Sequence, residues 1–95
     1  MNLARIVGTV VATRKEETIT GSKLLVLERL NEKLDSIGDF LVAVDAVGAG
    51  EGEVVLYASG SSARQTLLTK DSPTDAVVMA IVDSFSIHDV MVYRK

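Results

Sequence analysis

The sequence predicts an all-β chain: a small, closed or nearly closed barrel of five short strands, with one short helical turn and a last strand in a C-terminal hairpin. Three observations carry this. Apolar residues recur with period two from the first residues onward. The apolar runs are short, rich in Val, Leu and Ile, and separated by turns that mostly contain glycine. Only the stretch after Gly60 carries a helix-start signal. With 47 % hydrophobic residues but two Phe, two Tyr and no Trp, the core is built of small and branched aliphatics, which favours strands. A chain of 95 residues is expected to form a single domain, 1–95.

Residues 3–13 alternate: Ala4, Ile6, Gly8, Val10 and Ala12 make one small apolar face, and Leu3, Arg5, Val7, Thr9, Val11 and Thr13 the other. Residues 14–20 are charged and polar and read as an exposed loop. Residues 23–30 form the second strand, and residues 31–39, with their charges and Gly38, read as another loop. The third strand spans 40–47 and the fourth 54–59. Between them Gly48-Ala49-Gly50-Glu51-Gly52-Glu53 forces a tight, non-helical backbone. Ser62 with Gln65 three residues on fits a capping box, placing one helical turn over 63–68, which the stretch up to Pro73 stops. The fifth strand spans 75–83. A short strand over 90–93 is expected to pair back on it through a turn at 86–89.

Composition excludes several functions. There is no cysteine, which removes disulfides and thiolate metal sites and suits a reducing, cytoplasmic setting. The net charge of −3 offers no electrostatic help to a nucleic-acid or anionic-membrane partner, so neither is expected. The longest uncharged apolar run, 76–82, is too short to cross a bilayer, and the first eight residues lack signal-peptide anatomy. Several strands are instead apolar on both faces: Val42, Val44 and Ala46 oppose Leu41, Ala43 and Val47, and Val78, Ala80 and Val82 oppose Val77, Met79 and Ile81. A small barrel hides one face of each strand. The surplus predicts an obligate oligomer.

No constellation makes a convincing reacting centre. The Gly48-x-Gly50-x-Gly52 loop lacks the spacing and the following helix of a dinucleotide fingerprint, and Glu51 and Glu53 would repel a phosphate. Gly60-Ser61-Ser62-Ala63-Arg64 is not a nucleophile elbow, and the lone histidine, His88, falls in a turn far along the chain. His88 with Asp83 or Asp89 is a poor metal set; neither metal nor cofactor is expected. Asp45, Asp75 and Asp83 are read as solvated strand ends or as ion-pair partners of Arg5, Lys23 or Arg64. An OB-like barrel that binds oligonucleotides needs basic grooves and stacking aromatics, both scarce here.

Five blocks in order then carry a resemblance that spans nearly the whole chain. They are Gly8-Thr9-Val10-Val11-Ala12-Thr13, Lys23-Leu24-Leu25-Val26, the central stretch from Ala43-Val44-Asp45 through Gly48-Ala49-Gly50-Glu51-Gly52 to Val54-Val55-Leu56, Gly60-Ser61-Ser62-Ala63-Arg64-Gln65, and Pro73-x-Asp75 with Ile81-Val82-Asp83. Together they resemble the EutN/CcmL family, the pentamer-forming vertex proteins of bacterial microcompartment shells. The chain departs from that pattern at Ala80, where the family commonly has glycine, and in the turn 86–89, which lacks a glycine. The resemblance implies a non-enzymatic OB-like barrel that assembles five-fold and closes the corners of a cytoplasmic shell tiled by hexameric proteins. It places Gly48, Ala49, Gly50, Glu51, Gly52 and Glu53 near the five-fold axis, as a possible pore rim. It makes Gly60, Ser61, Ser62, Ala63 and Arg64, counted with Asp45 and Asp83, interface candidates. Two other readings stand beside it: an oligomeric OB-like barrel binding a small ligand or oligonucleotide, and an enzyme whose site forms between subunits from Asp45, Arg64 and His88.

Overall fold

Strand β1 (Asn2–Val10) sends Ala4 and Ile6 inward, both fully buried, and turns Leu3 and Arg5 the other way, as its alternation predicts. The computed structural model describes residues 1–11, 23–60 and 76–95. Six further strands follow: β2 (Leu24–Leu30), β3 (Ser36–Asp45), β4 (Val54–Ser59), β5 (Ala76–Ile81), β6 (Ser84–Ile87) and β7 (Val90–Arg94). The expected helical turn over 63–68 lies outside the described residues.

β1 to β5 close into a barrel in the order β1-β2-β3-β5-β4, with β4 returning to β1. All neighbours are antiparallel except β3 and β5, which run parallel and pair through Val44 with Val77 and Asp45 with Val78. Register shifts fall between Ile6 and Gly8 on β1, between Glu28 and Leu30 on β2 opposite β3, and between Leu56 and Tyr57 on β4. Such bulges add the local twist that a five-stranded sheet needs to close. The interior holds Ala4, Ile6, Leu25, Leu27, Ala43, Val55, Tyr57, Ala76 and Val78, joined by Ala49 from the loop after β3.

β3 and the C-terminal strands differ from expectation, and β5 ends at Ile81, not at residue 83. β3 begins at Ser36, not Phe40, because the preceding turn is tighter than its charges suggest. The Asn31 side-chain oxygen accepts from the amides of Lys33 and Asp35, and Leu34 takes a positive φ, so the chain re-enters the sheet four residues early. β3 ends at Asp45 because its carboxylate draws the next amides into a turn. The last strand does not pair back on β5. Residues 84–87 form a strand of their own, and β6 and β7 make a separate two-stranded sheet, Ile87 opposite Val90.

The surplus apolar surface is also smaller than the alternation implies. Val44, Ala58 and Val77 form a second buried cluster with Leu24 and Met79 on the face away from the barrel interior. Val44 and Val77 are therefore already hidden within one chain. Val42, at 51 % exposure, and Phe40, at 60 %, are not.

The β6–β7 turn is built without glycine: His88 and Asp89 take φ of +52° and +63°, the pair of left-handed residues that a two-residue hairpin loop demands. An L residue pays about 1–2 kcal/mol for that conformation, offset in part by the looser unfolded chain that glycine brings. Asp89→Gly is expected to stabilise the hairpin by about 0.5–1 kcal/mol, read as slower hydrogen exchange of the β6 and β7 amides and a higher urea midpoint.

Candidate functional site

The loop between β3 and β4 is stitched from both ends. Asp45 Oδ1 accepts from the amides of Val47 and Gly48, both at 3.0 Å. Gly48 then takes φ of +75°, and the chain dives so that Ala49 enters the barrel interior. Lys23 Nζ donates to the Ala49 carbonyl at 3.2 Å. From Gly50 the chain makes a four-residue turn: the Glu53 amide donates to the Gly50 carbonyl at 3.2 Å, and Gly52 takes φ of +90°. Ile6 of β1 clamps this turn from outside. Its carbonyl accepts from the Gly52 amide at 2.8 Å, and its own amide donates to the Glu53 carbonyl at 3.0 Å. Arg5 adds a bond from its guanidinium to the Gly52 carbonyl at 3.0 Å.

The three loop glycines serve two different needs. Among the described residues a Cβ at Gly48 or Gly52 would meet nothing within 4 Å, so it is the positive φ that disfavours other residues there. Gly50 has no positive φ, and a Cβ there would sit 3.5 Å from Glu53 Oε1, an ordinary contact. Among the described residues, then, nothing in its own chain requires Gly50 to lack a side chain.

Glu53 is an anchor. Its Oε1 accepts from the Gly50 amide at 2.6 Å and its Oε2 from Lys95 Nζ at 2.6 Å. Lys95 first, and the Gly50 amide second, hold the Glu53 carboxyl below the usual carboxylate range; Glu53 in turn holds the Lys95 ammonium above the usual lysine range. Glu51 is exposed and has no partner among the described residues.

The remaining expected site residues scatter. Gly60 closes β4 with φ of +63°, while Ser61, Ser62, Ala63 and Arg64 lie outside the described residues. Asp83 is exposed, and its carbonyl accepts the Lys95 amide at 2.7 Å. His88 is exposed at the hairpin tip, and no group of three His, Cys, Asp or Glu side chains suited to a metal occurs among the described residues. Arg5 and Lys23, expected as ion-pair partners of aspartates, donate to loop carbonyls here. Those contacts span 47 and 26 residues of chain, so no local pattern could have announced them.

A barrel of this order, with this loop, has close counterparts. The family profile described as "Ethanolamine utilisation protein EutN/carboxysome" matches residues 1–83. The chain belongs to the EutN/CcmL family. It is 46 % identical over 95 residues to the carboxysome shell vertex protein CcmL of Thermosynechococcus vestitus, covering all of this chain and 96 % of that protein. It is 51 % identical over 84 residues to the bacterial microcompartment shell vertex protein GrpN of Rhodospirillum rubrum, covering 88 % and 94 %. Among solved structures, CcmL of Gloeobacter violaceus superposes with a TM-score of 0.95 at 40 % identity, covering all of this chain and 98 % of that one. The GrpN pentameric microcompartment shell protein of Rhodospirillum rubrum gives 0.84 at 49 %, covering 92 % and 99 %. The EutN/CcmL profile stops at Asp83, so the β6–β7 hairpin lies beyond it.

The Glu53–Lys95 pair sets a pH window for the loop. Glu53's value is lowered, so its stabilisation is complete above the ordinary glutamate value of 4.5 and is lost as pH falls through its lower folded value. Lys95's value is raised, so its contribution is complete below 10.5 and is lost as pH rises through its folded value. Glu53→Gln keeps an acceptor for the Gly50 amide and discards the charge. Its melting temperature is expected to fall less steeply with acidification below 4.5 than that of the unaltered chain, measured by thermal melts across pH.

Proposed function

We propose that this chain is the corner piece of a cytoplasmic bacterial microcompartment shell, assembling as a homopentamer among hexameric shell proteins. The single observation that carries the reading is the near full-length match, in sequence and in backbone, to proteins named as shell vertex proteins and described as pentameric. The role is geometric. A flat hexagonal sheet cannot enclose a volume, and a five-fold unit set into a six-fold position bends it. Interface shape, not a reacting group, performs this work, so the chain is a structural protein without catalysis, cofactor or metal.

The loop supports a place near the five-fold axis. Gly50 lacks a side chain that the described residues of its own chain would accommodate, which suits a position where several copies approach closely. Gly48, Ala49 and Gly52 set its path, and with Glu53 held by Lys95, Glu51 is the side chain left to rim an opening. Gly60, Ser61, Ser62, Ala63 and Arg64, with Asp45 and Asp83, are assigned to contacts with neighbours. Closure of a ring sets one patch of each copy against a different patch of the next.

The oligonucleotide-binding reading fares worse on the aromatics. Tyr57 is buried, and Phe85 and Tyr93 stack on each other with ring centroids 6.2 Å apart, leaving Phe40 as the one broadly exposed ring. A single ring on a chain of net charge −3 is a poor platform for bases.

Native mass spectrometry of the purified chain is expected to give a species of five copies; a stable lone chain at micromolar concentration overturns the reading. Gly50→Val is expected to abolish that species while keeping the barrel's circular dichroism. Normal assembly of Gly50→Val would move the loop off the axis.

A further inference from the structure

Two apolar surfaces of the chain stay open, and they differ. The first is the hairpin. Its register puts Phe85, Ile87, Val90 and Tyr93 on one face and Ser84, Ser86, Met91 and Arg94 on the other. The inner end of the apolar face is closed by the Phe85–Tyr93 ring pair, but Ile87 and Val90 at its outer end are 36 % and 65 % exposed. Among the described residues the two strands pair only with each other, and an isolated two-stranded hairpin is marginally stable in water. The geometry calls for a covering surface.

The second surface is the outward side of β1, β2 and β3. Val42 lies opposite Val26, and Val26 opposite Gly8, an apolar row that ends where no side chain stands. Phe40 follows on the same face of β3. β5 pairs with β3 only at Val44 and Asp45, so among the described residues the long first part of β3 has a neighbour on one side only. The two surfaces are exposed in the same chain, so neither covers the other.

We propose that the apolar face of the β6–β7 hairpin seats on the outward face of β1–β3 of the next copy, with Ile87 and Val90 against Phe40, Val42 and Val26. The inference rests on the five-fold reading and says which patches meet. Two unlike patches on every copy are what a closed ring uses. The root of the hairpin argues for a second copy over a hexameric neighbour. Val82 donates to the Val54 carbonyl, the Lys95 amide to the Asp83 carbonyl, and Lys95 Nζ to Glu53, so both hairpin strands leave from beside the Gly50–Glu53 turn. If that turn faces the axis, the molecules flanking the hairpin's root are copies of this chain.

The absence of cysteine gives a clean background for the test. Val42→Cys and Val90→Cys, made in separate chains, co-expressed and treated with a short bifunctional maleimide, are expected to give covalent dimers that neither chain gives alone. The chain carrying both substitutions is expected to give a ladder ending at five copies. Val90→Asp is expected to weaken the ring at least tenfold by dilution, and Val42→Lys in the same chain to restore it. A five-copy species without 42–90 cross-links overturns the hairpin contact and leaves the ring standing. Cross-links from residue 90 that appear only with a co-expressed hexameric shell protein assign the hairpin to that partner and overturn the proposal. A lone chain overturns the five-fold reading and this inference with it.

Discussion

The structure depends on Ile6. Its side chain fills the barrel interior, and its amide and carbonyl bracket the Gly50–Glu53 turn, so one residue ties core packing to loop position. β1 closes the barrel by pairing with β2 on one side and β4 on the other. The loop is then fixed against the barrel wall it clasps. Interior residues pack densely and move little, so this arrangement gives the glycine turn the rigidity of a core element although much of it faces water.

That rigidity suits a part whose work is shape. A ring of identical copies sets an angle only if the elements meeting at its contacts are stiff. The cations around the loop serve the same end: Arg5 and Lys23 hold carbonyls, and Lys95 holds Glu53, so the turn is pinned from three separate segments of chain. Exposed ion pairs contribute little to stability singly. Their effect here is positional.

The sequence made the barrel legible where its strands alternate. β1 and β4 stand close to where Ala4, Ile6, Val55 and Tyr57 place them. It hid the start of β3, because Ser36, Gly38 and Asp39 look like loop residues and their pairing rests on a bulge visible only once β2 is beside them. It showed the last turn at 86–89 but hid β7's partner, because the four residues of β6 are too short and too polar to stand out from a turn. The glycine loop was recognisable as a turn, yet its three glycines looked alike; only backbone angles separate Gly48 and Gly52 from Gly50. The cations that hold it come from distant segments and left no local trace.

Gly38 bears on how the edge of β3 behaves. It takes φ of +79° within β3, beside the charged pair Arg29–Asp39. A straight, greasy, half-paired strand would template stacking with any other extended segment and seed fibres. Here the left-handed residue spoils the fit for a flat intruder, and the charges act as gatekeepers on the edge of β3.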